Sequence, residues 1–421
     1  MGTRPPETTS ILSGWKDIAA YLGVDKTTAQ RWAKVRALPV RYLPGPRGKV
    51  VADPAELDGW RKAGPAIAPA QEPPASSPPR RRAALGILAA VVLLAVIGSI
   101  MWRRRPSAPA RYELRGSQFA VFDAGGRPRW EYVFPSPLIP DAPTDIQRHF
   151  WTGDLDGDGH PEVLFAPQAV DRVQLGSALY CFSDSGKLKW RFVPGKDVED
   201  QRKHFLNSYW ISQLIVIPKS PQGGPWIVTT SNHAADYPDQ VAVLDPQGRL
   251  LGDYWHAGHV LHLATADIDG DGVPEILLGG VNNGYEQATL VALDPRHVWG
   301  ASRVPAGDHR EFRGIPTGAE KAVVLFPRSC ITRETQEFNR AFSVVVKDGM
   351  ILVYVVESIT ERGSAYIIYQ FDRRLNLVSV DPSDAFISEH KVLQLEGLLH
   401  HAFSDSEAAA LRDVSVRWPS K

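Results

Sequence analysis

The sequence contains few cysteines, and it lacks the short motifs of common catalytic sites. Only 2 of its 421 residues are cysteine, which excludes a disulfide-stabilised scaffold and a zinc module built from several cysteines. Cys181 and Cys330 can form a disulfide only if the fold brings them together, and the sequence leaves that open. A serine nucleophile elbow, a phosphate-binding glycine loop and an HExxH metal motif are all absent. We therefore predict that the protein is not an enzyme.

The chain also has no net charge, but its charges are distributed unevenly along the sequence. There are 47 basic and 47 acidic side chains. Residues 1–82 contain 14 basic and 7 acidic residues, residues 83–102 contain none, and the remaining residues contain 33 basic and 40 acidic ones. A basic N-terminal part and an acidic C-terminal part, separated by an uncharged segment, indicate different partners for the two parts.

The uncharged segment, residues 83–102, is apolar along its whole length. Twenty residues in a helix extend about 30 Å, which matches the hydrocarbon thickness of a bilayer. Trp102 lies at one edge, where interfacial aromatic residues are common. A buried soluble helix is the alternative, although such helices usually carry a polar stripe. We predict one transmembrane helix, whose flanking arginines slightly favour a cytoplasmic C-terminal side.

Residues 13–35 predict two short helices joined by a turn. Apolar residues recur at helical spacing from Trp15 to Leu22, Gly23 ends the first helix, and Asp25 is a suitable N-cap for the second. This is the helix-turn-helix arrangement. The second helix has a polar face whose side chains suit phosphate oxygens and base edges. The residues of this face are Lys26, Thr27, Gln30, Arg31 and Lys34.

Two short strands and a third helix are predicted after the helix pair. Residues 40–43 and 49–52 have strand-forming composition and enclose a turn rich in proline and glycine. Asp53 and Pro54 then provide an N-cap and a first-turn proline for a helix that ends near Lys62. The two strands are in the position of a wing beside the helix pair.

Residues 11–62 resemble the excisionase/MerR-like winged helix-turn-helix family. The resemblance implies that the head, residues 1–63, binds duplex DNA, and that Arg47 and Lys49 of the wing contribute to binding. Because a fold does not determine a function, a head that docks a protein instead of DNA is the alternative. Residues 64–82, which follow the head, contain many prolines and predict an extended linker.

Two segments of the acidic part share a pattern of aspartate and glycine that runs directly into an apolar strand. Oxygen donors at the odd positions converge in one turn, as a hard cation requires, and glycine at position six permits the sharp bend. The first loop offers Asp154, Asp156, Asp158, the carbonyl of His160, and Glu162. The second loop offers Asp267, Asp269, Asp271, the carbonyl of Val273, and Glu275.

These loops do not have the pattern of EF-hands. An EF-hand needs a glutamate at position twelve, where these loops have Phe165 and Leu278, and it needs flanking helices. The loops resemble the calcium loops of FG-GAP repeats, which form blades of integrin-alpha-type (VCBS-like) β-propellers. The resemblance implies two Ca²⁺ sites, although Glu162 and Glu275 stand where the family usually has aspartate.

A second repeat predicts β-hairpins through the same region. A strand, a tight turn and a second strand are predicted around Asp123, Asp184, Asp245, Asp294 and Asp372. The separations of 61, 61, 49 and 78 residues suit propeller blades with some insertions. We therefore predict that residues 103–421 form an all-β propeller of roughly five to seven blades.

The histidines of the acidic part do not form a metal-binding pattern. His256, His259 and His262 lie between predicted strands, where the first and third share one face and the second points away. We predict structural or surface roles for these three residues. His400 and His401 carry no pattern that assigns them a role.

The predicted fold class is therefore multi-domain: a small α(+β) winged helix-turn-helix, a single transmembrane helix and an all-β propeller. The expected function is that of a single-pass membrane-anchored transcriptional regulator or sensor, whose partners are DNA, the membrane, and an extracytoplasmic protein or ligand. Weak calcium loops suit extracellular calcium concentrations, so we expect a cytoplasmic N-terminus and an extracytoplasmic propeller, against the arginine count. The alternative is a membrane-anchored adhesion or protein-binding propeller whose head docks a protein.

Overall fold

The computed structural model describes residues 11–43, 49–63, 108–139, 149–168, 178–336, 338–361 and 363–418. The predicted linker, the predicted membrane segment and Arg47 lie outside these ranges. Within them, no helix combines the length and the apolar character that a bilayer-spanning helix needs. The chain divides into two compact units, Met1–Arg104 and Arg105–Lys421.

The described residues of the N-terminal unit form three helices and a small antiparallel sheet. The helices and the last two strands lie where the sequence predicts them, whereas the first strand was not predicted. The helices are α1 (Trp15–Leu22), α2 (Lys26–Val35) and α3 (Pro54–Ala63). The strands are β1 (Leu12–Ser13), β2 (Arg41–Leu43) and β3 (Lys49–Ala52), and they pair in the order β1-β3-β2.

The ends of α1 and α2 follow from their capping residues. Gly23 has a φ of 70° and ends α1 in the left-handed conformation. The Asp25 side chain accepts a hydrogen bond from Thr28 N at 2.9 Å and so begins α2. One core holds the helices and the sheet together. Its buried residues are Ile18, Leu22, Leu38, Val50, Ala52 and Leu57.

The described residues in the first part of the C-terminal unit form three antiparallel sheets and one hairpin in chain order. The first sheet consists of β4 (Pro109–Arg115), β5 (Gln118–Asp123) and β6 (Pro128–Val133). The second consists of β7 (Phe150–Gly153), β8 (Glu162–Phe165), β9 (Leu179–Phe182) and β10 (Leu188–Phe192). A hairpin of β11 (Val198–Glu199) and β12 (His204–Phe205) follows. The third sheet consists of β13 (Tyr209–Ile217), β14 (Trp226–His233), β15 (Pro238–Leu244) and β16 (Leu250–Ala257).

Two further sheets and three helices follow in the described part of the C-terminal unit. The fourth sheet consists of β17 (Val260–Ala266), β18 (Glu275–Asn282), β19 (Gln287–Leu293) and β20 (Glu320–Leu325). The fifth consists of β21 (Arg340–Lys347), β22 (Met350–Thr360), β23 (Gly363–Asp372) and β24 (Leu377–Pro382). The helices are α4 (Cys330–Thr335), α5 (Asp384–Leu395) and α6 (Asp405–Ala410). The last strand, β25 (Ser415–Arg417), returns to pair with β20 of the fourth sheet.

Each sheet shares a hydrophobic core with the next sheet along the chain. Phe119 of the first sheet stacks on Phe165 of the second, with ring centroids 4.1 Å apart. Similar cores join the second sheet to the third, the third to the fourth, and the fourth to the fifth. Meanders that pack on one another in chain order are the blades of a β-propeller. The predicted β-propeller is confirmed, and the described residues contain five blades.

A tryptophan of one blade packs against a turn glycine of the next blade in two places. Trp130 lies against Gly186, and Trp190 lies against Gly248. The two glycines have φ values of 85° and 76°, which favour glycine. A Cβ atom would lie 2.6 Å from the Trp130 ring at the first position and 2.5 Å from the Trp190 ring at the second. The turn conformation and the contact between blades therefore both require glycine.

Four of the five predicted hairpins form, and the prediction around Asp294 is wrong. Strands flank the turns at the other four aspartates, but β19 ends at Leu293 and the next strand of that sheet begins at Glu320. The chain does turn at Asp294, where His297 N donates to its carbonyl at 3.0 Å. It then runs along the third blade, because Trp255 N donates to the Gly300 carbonyl at 2.9 Å. The sequence signal identified the turn but not the sheet that receives the chain.

Candidate metal loops and nucleic-acid interface

The first predicted metal loop connects β7 to β8 and folds around the side chain of Asp154. This carboxylate accepts hydrogen bonds from Gly157 N at 2.8 Å and Gly159 N at 3.0 Å. The next turn of the loop is closed by Asp158, which accepts a bond from His160 N at 2.7 Å. The first aspartate therefore organises the loop backbone, while the intervening carboxylate of Asp156 accepts a hydrogen bond from Asp158 N at 3.3 Å.

The second loop connects β17 to β18 and has the same hydrogen bonds. Asp267 accepts from Gly270 N at 2.7 Å and from Gly272 N at 3.0 Å. Asp271 accepts from Val273 N at 2.8 Å. The two segments that share a sequence pattern thus share one backbone conformation in two different blades.

The glutamate at position nine of each loop is buried and folds back on the loop itself. Glu162 is 2% exposed and accepts a hydrogen bond from Leu155 N at 2.9 Å. Glu275 is 0% exposed and accepts from Ile268 N at 2.8 Å. Burial raises the pKa of Glu275, although its hydrogen bonds oppose that shift. The extra methylene of glutamate, compared with aspartate, lets the carboxylate reach the backbone at position two.

A lysine that the sequence analysis missed lies on each loop. Lys189 Nζ is 2.7 Å from an oxygen of Asp156 and 2.9 Å from an oxygen of Glu162. The hydrogen bond to Lys189 lowers the pKa of Asp156. Lys321 makes the same pair of contacts, to Asp269 and to Glu275, in the other loop. Both lysines belong to the fourth strand of their blade, β10 and β20.

Each loop gathers three of its four predicted carboxylates. Oxygen atoms of Asp154, Asp156 and Glu162 lie within 4.8 Å of one another in the first loop. The corresponding group in the second loop consists of Asp267, Asp269 and Asp271.

The prediction that all four carboxylates of each loop converge is therefore only partly met. Asp158 is outside its group, although the equivalent Asp271, which accepts the same kind of backbone hydrogen bond, is inside the group of the second loop. Glu275 is outside its group, and one of its oxygens lies 2.6 Å from Lys321 Nζ. The two residues whose carbonyl groups were predicted as donors differ in exposure. His160 is exposed, whereas Val273 is buried.

Three carboxylates at one turn can hold a hard divalent cation such as Ca²⁺. Basic side chains already neutralise part of this charge. In the first loop a divalent cation would share Asp156 and Glu162 with Lys189. In the second loop it would share Asp269 with Lys321 and Asp271 with Arg296. The donor set therefore fits calcium, while these basic side chains lower the electrostatic gain from binding it. Both loops also border open cavities, of about 600 Å³ beside Asp156 and about 940 Å³ beside Asp269.

Replacing Lys189 with methionine should make the protein more dependent on calcium. The side chain of Glu162 is 3% exposed, so loss of Lys189 leaves a buried carboxylate with only the Leu155 amide as partner. We expect a lower melting temperature without calcium, and calcium binding about tenfold tighter because a nearby positive charge is removed. Calcium titrations followed by calorimetry measure both effects. Lys187→Met is the matched control, since Lys187 is exposed in the neighbouring turn, and an equal effect of both substitutions would contradict the prediction.

The predicted DNA-contacting side chains of α2 lie on its exposed face. Four of them are exposed and Gln30 is half-buried, whereas Ala29 on the opposite face is 0% exposed. Lys49 is exposed at the start of β3. None of the ion pairs in the described part of the chain involves Lys26, Arg31 or Lys34. The three cations are therefore available to a partner of negative charge.

The histidines predicted to be structural lie at the junction of the third and fourth blades. His256 is 1% exposed, and its Nε2 atom is 3.0 Å from the Val281 carbonyl. Burial lowers the pKa of His256 to about 4. His259 Nδ1 is 3.3 Å from Asp239, whose pKa is raised to about 6 by burial. The backbone of Val344 donates to His262 Nδ1 at 3.3 Å.

No family model matches the chain, and no curated protein matches it. Solved structures do show similarity to it. The C-terminal domain of Pseudomonas aeruginosa PilY1 is 14% identical, and the match covers 66% of this chain and 60% of that domain, with a TM-score of 0.36. The Dos1 propeller is 10% identical over 65% of this chain and 67% of its own, with a TM-score of 0.32.

A GH43 β-1,3-galactosidase is also similar, with 9% identity, coverage of 64% of this chain and 87% of the other, and a TM-score of 0.28. These low scores leave the sheet topology as the basis of the propeller assignment. A similarity at this level does not transfer an activity, so the expected absence of enzymatic activity stays a prediction.

Proposed function

We propose that this protein is a single-pass membrane-anchored transcriptional regulator whose N-terminal unit is a winged helix-turn-helix that binds DNA. The observation that supports the proposal is the face of α2. It presents three exposed cations, Lys26, Arg31 and Lys34, that are not engaged by the ion pairs of the described residues. Exposed cations spaced along one helix suit the phosphates that line a major groove.

The packing of α2 supports its assignment as the recognition helix. Its inner side is anchored by Ala29 and by Trp32, whose ring lies 5.7 Å from that of Trp60 on α3. Trp60 also donates through Nε1 to the Arg36 carbonyl at 2.9 Å, which fixes the end of α2 against α3. A helix held in this way can present its outer side chains without rearrangement on binding.

The propeller is the proposed sensing part, on the extracytoplasmic side of a membrane helix formed by residues 83–102. Its two loops would bind Ca²⁺ through the carboxylates that each loop gathers. The cavities beside Asp156 and Asp269 border these loops, which supports the proposal that a ligand binds there. A protein or small ligand that enters either cavity would therefore be recognised in a calcium-dependent way.

Substitution of Arg31 with alanine should weaken specific DNA binding. The duplex is first selected from a random pool by the full-length protein, and fluorescence anisotropy then gives the dissociation constants at several salt concentrations. An arginine that reads a base edge contributes about 1–3 kcal/mol, so Arg31→Ala should weaken binding by roughly 5- to 150-fold and relax the selected sequence. The wild type should show a steep salt dependence.

Lys62→Ala is the control, because Lys62 is an exposed cation of α3 in the same unit. It removes the same charge but should leave the selected sequence unchanged. Failure of the wild type to bind any duplex at low salt would reject DNA binding and favour a head that docks a protein.

A further inference from the structure

A cluster of four metal-ligating side chains lies far along the sequence from both metal loops. Its members come from four segments of the C-terminal part: Cys330 begins α4, His390 lies in α5, His401 lies between α5 and α6, and Glu407 lies in α6. One ligand atom from each lies within 4.8 Å of the ligand atoms of all the others. Four donors from separate segments at this separation match the first coordination shell of a transition metal.

The two imidazoles direct the same ring nitrogen toward one carboxylate. His401 Nε2 is 2.8 Å from Glu407 Oε1, and His390 Nε2 is 3.5 Å from Glu407 Oε2. The two rings are nearly perpendicular, at 82°, with centroids 5.5 Å apart. This arrangement lets both Nε2 atoms approach a common point without contact between the rings.

His390 provides an independent indication of a bound ligand. It is 2% exposed, and its Nε2 atom makes no hydrogen bond although it is aimed into the cluster. A buried polar nitrogen without a hydrogen bond costs about 1–3 kcal/mol. Coordination to a cation would satisfy this nitrogen, whereas hydrogen bonding within the cluster leaves it unsatisfied.

The ligands are held in place by contacts outside the cluster. Glu407 belongs to a capping box, in which Ser404 N donates to its carboxylate at 3.2 Å. Cys330 follows Ser329, whose backbone N donates to the buried carboxyl group of Glu357 at 3.0 Å. Contacts outside the cluster thus hold the Glu407 carboxylate and the segment that carries Cys330, as expected of a preformed site.

The chemistry of the donors selects the class of metal. Sulfur and imidazole nitrogen favour Zn²⁺ over Ca²⁺ and Mg²⁺, which prefer oxygen ligands alone. A divalent cation stabilises the thiolate form of a cysteine ligand such as Cys330.

We propose that Cys330, His390, His401 and Glu407 bind one Zn²⁺ ion in a tetrahedral structural site. Four protein ligands leave no position for a substrate, so the ion is structural. It ties the segments that follow the fifth blade to α4, which follows β20 of the fourth blade. A cavity of about 210 Å³, lined by three of the four ligands, gives the ion access from solvent.

The test measures zinc in the untagged full-length protein after saturation with ZnCl₂ and extensive dialysis. We expect one equivalent of zinc beyond the content of the His401→Gln variant. His401 is about half exposed, so the variant should fold, and its loss should weaken zinc binding by more than the roughly 10- to 100-fold that loss of an outer-shell partner costs. His400→Gln is the matched control, because the neighbouring His400 is exposed and outside the cluster.

Cobalt substitution identifies the ligands directly. The Co²⁺ form should show the intense visible absorption of a tetrahedral centre and a sulfur-to-cobalt charge-transfer band, and Cys330→Ser should abolish that band. Equal zinc contents in the wild type and His401→Gln would overturn the proposal. An octahedral cobalt spectrum that Cys330→Ser leaves unchanged would overturn it as well.

Discussion

The double variant Asp156→Ala/Asp269→Ala is expected to lose nearly all of the rise in melting temperature that calcium gives to the protein. Each substitution removes the position-three carboxylate, which lies within the gathered group of its loop and bonds the loop lysine. A ligand that binds only the native form stabilises it by about 1.4 kcal/mol per site at ten times its dissociation constant. Two sites contribute about 3 kcal/mol, or roughly 5 °C in a unit of this size.

Differential scanning calorimetry of the full chain, with and without millimolar calcium, measures this rise. Each single variant should retain about half of it. Asp413→Ala is the control, because Asp413 is exposed and distant in sequence from both loops, and it should retain the whole rise. An unchanged melting temperature of the wild type on calcium addition would refute calcium binding by the loops.

The effect of calcium has to be measured separately from that of zinc, because a chelator that removes calcium would also remove zinc from the cluster around His390. Protein that has been stripped of metal is titrated with calcium alone and then with magnesium alone. Magnesium should give the smaller rise, because it loses its water ligands reluctantly. His401→Gln should keep the full calcium response, since His401 lies outside both loops. Loss of that response would show that the two effects are not independent.

Local sequence signals predicted the elements of the N-terminal unit well. The apolar spacing and the caps at Gly23 and Asp25 act within one or two helical turns, and the helices begin and end where these signals place them. Four of the five hairpins were predicted correctly for the same reason. At Asp294 the same kind of local signal predicted a hairpin, but the partner of the following segment is Trp255 in another blade. Strand pairing over such distances depends on packing that a local pattern does not contain.

The contacts that complete the candidate sites were not predictable from spacing. Lys189 lies 27 residues after Glu162, whereas Lys321 lies 46 residues after Glu275, so the two equivalent lysines share no sequence offset. Their equivalence is visible only once both are placed on the fourth strand of a blade.

The four residues of the proposed zinc site could not be predicted from their spacing either. Its four residues are separated by 60, 11 and 6 positions, which matches no short metal motif. A pattern of several cysteines does not indicate a site that uses a single one. The sequence does contain two histidines and a glutamate in the helical segment after the last blade. They indicate a metal site only once the fold places Cys330 beside them.

Substitution of Glu357 with alanine is expected to lower the stability of the folded protein strongly. Glu357 lies in β22 and is 0% exposed. Its carboxyl group accepts hydrogen bonds from Ser329 N and Asn339 Nδ2, both at 3.0 Å, and from the Thr332 hydroxyl. Removal of this acceptor leaves several buried donors without it, at about 1–3 kcal/mol for each unsatisfied group. We expect Glu357→Ala to lower the unfolding free energy by about 3–5 kcal/mol.

Two further variants separate the hydrogen bonds of Glu357 from a general effect of losing a glutamate. Glu361→Ala removes an exposed glutamate close by in sequence and should change the unfolding free energy by no more than about 0.5 kcal/mol. Glu357→Gln keeps the volume and one oxygen acceptor, so its unfolding free energy should lie between those of the wild type and Glu357→Ala.

Glu357 holds the first turn of α4, where Cys330 lies. Glu357→Gln should therefore also weaken zinc binding while leaving the calcium response intact. Urea denaturation together with zinc analysis measures both effects, and equal stabilities of Glu357→Ala and Glu361→Ala would contradict the assigned role.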